Sequence, residues 1–162
     1  HVRHNSFDDG FTPVTQRHQA ELLARSYIDA LGSGAVGNMS WYNFRNDGDD
    51  PLNFESNMGI VMRDFSPKPA FRAFATLTRL LQGRTSGSAL DLGEGIVAYR
   101  FVPSTGGGAI TALWSIHEDR TVSVASPGSV TLTDLMGDTR LLENEGGTVS
   151  VELKHEVPVF LE

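Results

Sequence analysis

A chain of 162 residues can bury a sizeable core and form one domain or two small ones. Its net charge of -7 and sequence pI near 5.1 argue against a phosphate-tracking surface for nucleic acid and against an anionic membrane face, and they suit a neutral substrate better. With no cysteine there is no disulfide framework, thiolate metal site or cysteine nucleophile, and no apolar run reaches membrane-spanning length. The opening residues His1-Val2-Arg3-His4-Asn5 are polar and lack a basic-then-apolar leader, which reads as the interior of a longer protein.

Helix and strand alternate up to about Gly83. Ala20, Leu23, Ala24, Tyr27, Ile28 and Leu31 recur at the spacing of one helical face, with Thr15 as N-cap, Gly32 as stop, and Arg17, Glu21 and Arg25 on the opposite face. Asn38 to Phe44 reads as a short strand entered through Gly34 and Gly37, with Tyr42 and Phe44 as packing residues. A loop of Asp, Asn, Gly and Pro follows, then a short apolar segment from Gly59 to Met62. A second helix starts at Pro69, where a missing N–H costs nothing. Phe71, Phe74, Thr78 and Leu81 are its expected inner stripe, and Gly83 its end.

From about Arg84 the pattern is all-β. Strands are expected at Ile96 to Val102, through Ile110 to Ile116, at Thr121 to Ala125, at Val130 to Leu135, around Val149, Val151 and Leu153, and at Val157 to Leu161. Gly106-Gly107-Gly108 and Pro127-Gly128 read as hairpin turns. Short strands at this spacing point to a small β-sandwich.

The run SWYNFRNDGDDP followed by NMGIVMRDFSPKPAFRAFATLTRLL resembles the closing strand, loop and last helix of retaining glycoside hydrolases built on a (β/α)-barrel, the superfamily of β-xylosidases and cellulase-like enzymes. QAELLARSYIDALGSGAVGNMSWY resembles their seventh helix leading to the eighth strand, and GEGIVAYRF, ALWSI and SVTLTDLMGD are similar to their C-terminal sandwich. The fold class implied is α/β plus all-β. Residues 1–83 would be the C-terminal part of a (β/α)8 barrel (seventh helix, eighth strand and eighth helix), and residues 84–162 a β-sandwich. A barrel needs eight such units, typically about 250 residues, so a missing N-terminal barrel portion or a second chain is the implied partner, with a carbohydrate as substrate and a secreted or extracytoplasmic setting favoured.

In that family a tryptophan ending the eighth strand lies under the sugar at the cleavage point, and Trp41 matches it. Arg45, Asn46 and Asp47 follow it past the strand end, and Arg45 and Asn46 could reach sugar hydroxyls. His1 and His4 fall in what would be the loop after the seventh strand. The family's catalytic glutamates end the fourth and seventh strands, which this chain does not contain, so the resemblance places no catalytic residue here. Retaining hydrolysis needs two carboxyl groups about 5 to 5.5 Å apart. Glu21 falls on an outer helical face, Glu94, Glu118, Glu143, Glu145, Glu152, Glu156 and Glu162 lie in the β-rich half, and Glu55 with Asp47, Asp49 and Asp50 sits near the presumed mouth in the wrong position.

Two further signals have simpler readings. Gly32-Ser33-Gly34-Ala35-Val36-Gly37 matches G-x-G-x-x-G but follows a helix and precedes a strand, the reverse of a dinucleotide site. Asp47-Gly48-Asp49-Asp50-Pro51 lacks the spacing of a calcium loop. No cofactor or metal is implied. The competing reading is a non-catalytic carbohydrate-binding or structural module, which a row of exposed aromatics among Tyr99, Phe101, Trp114 and Phe160 would support.

Overall fold

The computed structural model describes residues 14–84 and 87–162. It is mostly sheet with two helices. Helix α1 spans Gln16–Ser33 and α2 spans Pro69–Leu81, with a short 3-10 turn at Glu55–Asn57 between them. Eight strands follow: β1 Ser88–Ala89, β2 Ile96–Phe101, β3 Ile110–Ser115, β4 Arg120–Ala125, β5 Val130–Thr133, β6 Thr139–Leu142, β7 Thr148–Leu153 and β8 Val159–Leu161. Six form an antiparallel sheet in the order β1-β2-β3-β8-β5-β6, and β4 pairs with β7 in a separate two-stranded sheet.

The helices begin where local chemistry says they should. Thr15 caps α1, its Oγ1 accepting from the His18 N–H at 3.0 Å, and Pro69 occupies the first turn of α2. The end of α1 lies beyond the expected Gly32, at Gly34, whose φ of 64° supplies the left-handed cap. Gly32 remains helical and lies against the Tyr99 ring, 2.4 Å from where a Cβ would stand. The expected face of α1 is buried at Ala20, Leu23, Ala24 and Ile28, whereas Leu31, near the helix end, is 45% exposed. On α2 the buried stripe is Ala70, Ala73, Thr76, Leu77, Leu80 and Leu81. Phe71 and Thr78 point outward instead, because close packing against α1 and the sheet selects the face with small residues, over which two helices can approach closely.

Alternation along the strands divides the large sheet between two apolar clusters. Phe101, Ile110, Ala112, Trp114 and Phe160 face the helices and share a core with Leu23, Ile28, Leu77 and Leu80. Ala98, Leu113, Leu132, Val159 and Leu161 face the other way, onto Val124, Val149, Val151 and Leu153 of β4 and β7. The order of layers is therefore helix pair, six-stranded sheet, two-stranded sheet. Asp29 of α1 and Tyr99 of β2 add a polar clasp: burial raises the Asp29 carboxyl above its ordinary range, partly offset by the Tyr99 hydrogen bond, and burial beside Asp29 raises the Tyr99 phenol.

Three further sequence expectations change. Asn38 to Phe44 is not a strand: the chain there makes one parallel bridge, Arg45 to Val61, and Val61 bridges on its other side to Pro67. A strand exists only with a ladder partner, and before Ser88 the described residues supply single bridges alone. Tyr42 and Phe44 are accordingly 70% and 57% exposed rather than packed. Pro127-Gly128 turns the chain from the small sheet into the large one, since β4 pairs with β7 and β5 with β6 and β8. Gly106-Gly107-Gly108 does join a hairpin, β2 with β3. The strand β6 and the two-residue β1 carry no alternation strong enough to be read from sequence.

Candidate functional site

The segment from Trp41 to Met62 surrounds two adjoining hollows. The larger, about 530 Å³, is lined by Tyr42, Asp47, Asn53, Glu55, Ser56 and Met58. The smaller, about 220 Å³, is walled mainly by Leu22, Trp41, Tyr42, Phe54 and Met58, with Gln19 behind. Tyr42 and Met58 belong to both, so one continuous surface runs from an acidic, amide-rich side to an apolar one.

Trp41 is partly buried against the helix-side core, and its indole Nε1 donates to the Met58 carbonyl at 3.4 Å. Its ring contributes to the apolar hollow, while the exposed Tyr42 beside it contributes to the acidic one. Asp47 is exposed. One of its carboxylate oxygens accepts from Asn43 Nδ2 at 2.9 Å and faces the Tyr42 hydroxyl at 3.4 Å. Arg45 makes no pair with Asp47 or Asp49; its guanidinium lies 4.9 Å from the centre of the Phe65 ring, and Asp49 pairs with Arg63 at 3.0 Å.

Asn46 corrects the expectation that its amide is free for a ligand. It is 3% exposed, its Oδ1 accepts from the Gly59 N–H at 3.1 Å and from Lys68 Nζ at 2.9 Å, and its Nδ2 points to the Met62 sulfur at 3.8 Å. A buried amide must satisfy its own donors and acceptors internally. Here that need turns Asn46 into a brace for the loop. His1 and His4 lie outside the described residues. Glu21 is engaged by Arg17 at 3.0 Å and His18 at 3.2 Å on the flank of α1.

The structure adds residues that sequence reasoning did not select: Asn53, Ser56 and Met58 in the lining, Tyr42 as the exposed aromatic, and Lys68 beneath the loop. Asn57 holds the loop's far turn by donating to the carbonyls of Asp50 and Asn53, both at 2.7 Å. Two buried acceptors near this segment, Gln19 Oε1 and Asn43 Oδ1, have no hydrogen-bond partner among the described residues. Among the described residues no group of three His, Asp or Glu side chains is placed to hold a metal ion. In the β-rich part Phe101, Trp114 and Phe160 are at most 2% exposed, and Tyr99 packs against the same core. The row of exposed aromatics that would mark a sugar-binding sheet face is not formed by these four.

No protein-family model and no curated protein sequence matches the chain. Solved structures do. A family 39 glycoside hydrolase from the gut symbiont Bacteroides cellulosilyticus WH2 is similar with a TM-score of 0.80 and 30% identity, over 93% of this chain and 31% of that one. A GH30 endoxylanase from Clostridium papyrosolvens C71 shares the fold with a TM-score of 0.56 and 10% identity, over 98% of this chain and 40% of that one. The chain thus spans well under half the length of either neighbour. The resemblance read from the sequence is borne out on these terms: the chain is similar to the C-terminal portion of a family 39 glycoside hydrolase, and the GH30 endoxylanase adds a likeness of fold alone.

Proposed function

We propose that this chain is the C-terminal portion of a glycoside hydrolase that cleaves O-glycosidic bonds of an oligo- or polysaccharide by a retaining mechanism, with both catalytic glutamates supplied from outside it. The observation that carries this reading is the match to the family 39 enzyme, near-complete on this side and about a third on the other. Residues 1–83 would then close a (β/α)8 barrel and residues 84–162 would be the attached β-sandwich. The exposed Tyr42 and Phe44 would meet the rest of the barrel or its substrate, which gives their apolar surface a reason to be uncovered here.

In this reading Trp41 and Tyr42 offer aromatic surface to the C–H faces of a sugar ring, and Asp47, Asn53 and Glu55 offer acceptors and an amide to its hydroxyls. Arg45 is held over the Phe65 ring and lines neither hollow, so it would reach a sugar hydroxyl only by leaving that ring. In this reading Glu55 and the neighbouring aspartates bind rather than catalyse, because the resemblance assigns the retaining pair to glutamates ending the fourth and seventh barrel strands.

The direct test is an assay of this 162-residue chain against the intact protein on a panel of aryl glycosides. The intact protein should turn them over and the chain alone should not. Robust turnover by the chain alone would move the chemistry to Glu55 or a loop aspartate and end this assignment. In the intact enzyme Trp41→Ala should reduce kcat/KM by about fivefold or more, the equivalent of about 1 kcal/mol of lost stacking. Tyr42→Ala should lower the intact enzyme's kcat/KM as well, with little change in the unfolding temperature of this chain by itself, where its side chain is mostly in solvent. Wild-type efficiency in both variants would remove the aromatic platform from the reading.

A further inference from the structure

Lys68 is only 1% exposed, yet among the described residues no carboxylate receives its ammonium. Three neutral oxygens receive it instead: Asn46 Oδ1 at 2.9 Å, the Asn57 carbonyl at 2.8 Å and the Gly59 carbonyl at 2.7 Å. Buried charges are normally paired with an opposite charge, and three dipoles converging at charge-assisted distances take that role here. Their positions matter more than their number. Asn46 opens the acidic loop, Gly59 closes it, and Asn57 ends the turn that carries Glu55 and Ser56.

The lysine itself stands on firm ground. Its backbone N–H donates to the Ile60 carbonyl at 3.2 Å, and its carbonyl accepts from Phe71 at the start of α2 at 3.0 Å. Asn46 is followed directly by Asp47, which engages Tyr42 and Asn43. Met58 lies between Asn57 and Gly59, and its carbonyl receives the Trp41 indole and the Gln19 amide at 3.2 Å. A displacement of any of the three oxygens is therefore felt at the lining of the opening.

We propose that Lys68 is a positioning residue for the opening: its ammonium gathers Asn46, Asn57 and Gly59 and so sets where Trp41, Tyr42, Asp47 and Glu55 stand. The inference rests on the reading of that opening as the sugar site. It predicts a local response to pH. Burial lowers the Lys68 ammonium to about 8. The charged side chains on the surrounding elements, Arg45 and Asp47 beside Asn46, Asp50 and Glu55 in the loop, and Arg72 on α2, are all exposed. Deprotonation leaves two N–H donors and turns a lone pair toward one of the three oxygens, so one contact is lost. Global stability changes in the opposite direction. With the folded value depressed below the ordinary 10.5, the unfolded chain holds the proton more tightly between about pH 8 and 10.5, and this group makes stability rise with pH across that window. Loosening at the loop is thus separable from unfolding.

The chain carries its own reporter, since it has two tryptophans and Trp114→Phe identifies the indole signal of Trp41. In proton–nitrogen correlation spectra taken across the alkaline range, the Trp41 indole and the Gly59 amide should shift together with a midpoint near about 8, while the amides of β4 and β7 hold still. Lys68→Met should abolish that inflection. Asn46→Ala keeps the amine and removes one oxygen, so it should move the midpoint downward. In the intact hydrolase Lys68→Met should reduce kcat roughly tenfold to a hundredfold, the loss that a displacement of about 1 Å produces, and should flatten the alkaline limb of the kcat profile. A wild-type Trp41 signal indifferent to pH, or an inflection that persists in Lys68→Met, overturns the proposal whatever the activity. Should Lys68→Met fail to fold, an unmoved midpoint in Asn46→Ala overturns it equally. An intact protein that shows the Trp41 inflection but cleaves no glycoside supports the hold of Lys68 on the loop and overturns the hydrolase reading.

Discussion

Phe160→Ala is expected to lower the free energy of unfolding by about 3–5 kcal/mol, the range for deleting a fully buried phenylalanine. Phe160 is 1% exposed, sits on the central strand β8 opposite Ala112 of β3 and Thr133 of β5, and fills the cluster shared by the helices and the sheet. Against a typical domain stability of about 5–15 kcal/mol, such a loss leaves little margin. The more informative readout is cooperativity. Denaturant unfolding followed by helical circular dichroism and by tryptophan fluorescence should shift together, because the missing ring supports Leu23 and Leu77 as much as Trp114. A helical transition that stayed in place while the sheet transition moved would mean that the two halves do not share their stability.

Gly59→Ala should be comparably damaging for a different reason. A Cβ at Gly59 would lie 2.2 Å from the backbone nitrogen of Asn46, 2.4 Å from the Arg45 carbonyl carbon and 2.8 Å from the Val61 oxygen. None of these is the movable end of a side chain; Arg45 and Val61 are bridged to each other. The loop must separate to make room, breaking the contacts of Asn46 and Lys68 together, at a cost on the order of 3 kcal/mol, the upper end for overpacking. Gly37→Ala is the matched control, with nothing among the described residues within 4 Å of the added carbon, and should change stability by less than about 0.5 kcal/mol. Thermal melts of the two variants side by side provide the check. An unperturbed Gly59→Ala protein would show that Arg45, Asn46 and Gly59 do not approach as closely as described.

The position of Lys68 explains why the loop can be both polar and fixed. Loops usually stay at the surface because their backbone groups need water. Here a single side chain from the start of α2 reaches inward and supplies donors where water would otherwise be required. The loop's outer face remains available, with Asp47, Glu55 and Tyr42 all exposed. A binding surface on a braced loop keeps its geometry when the ligand is absent, which reduces the ordering cost of binding.

By itself the sequence determined what depends on near neighbours. Thr15 and Pro69 mark helix starts because capping and a missing N–H act within one turn. The alternation of Ile110, Ala112 and Trp114, and of Val149, Val151 and Leu153, marks buried strand faces because side chains alternate every residue. The SWYNFRNDGDDP run located the segment around which the two hollows form. Tertiary structure decided whatever depends on a partner distant in the chain. Pairing of β4 with β7 rather than β5 is settled by which apolar faces can be covered, and a turn such as Pro127-Gly128 carries no record of it. Whether 38–44 becomes a strand depends on a neighbouring ladder. The stripe of α2 rotated toward its alanines because close helix contact outweighs the larger apolar area of Phe71. The roles of Asn46 and Lys68 were invisible for the same reason: a polar residue in a loop reads as solvated, and only the folded chain, by closing Gly59 onto Asn46 over the lysine, reveals that their hydrogen bonds are spent inside.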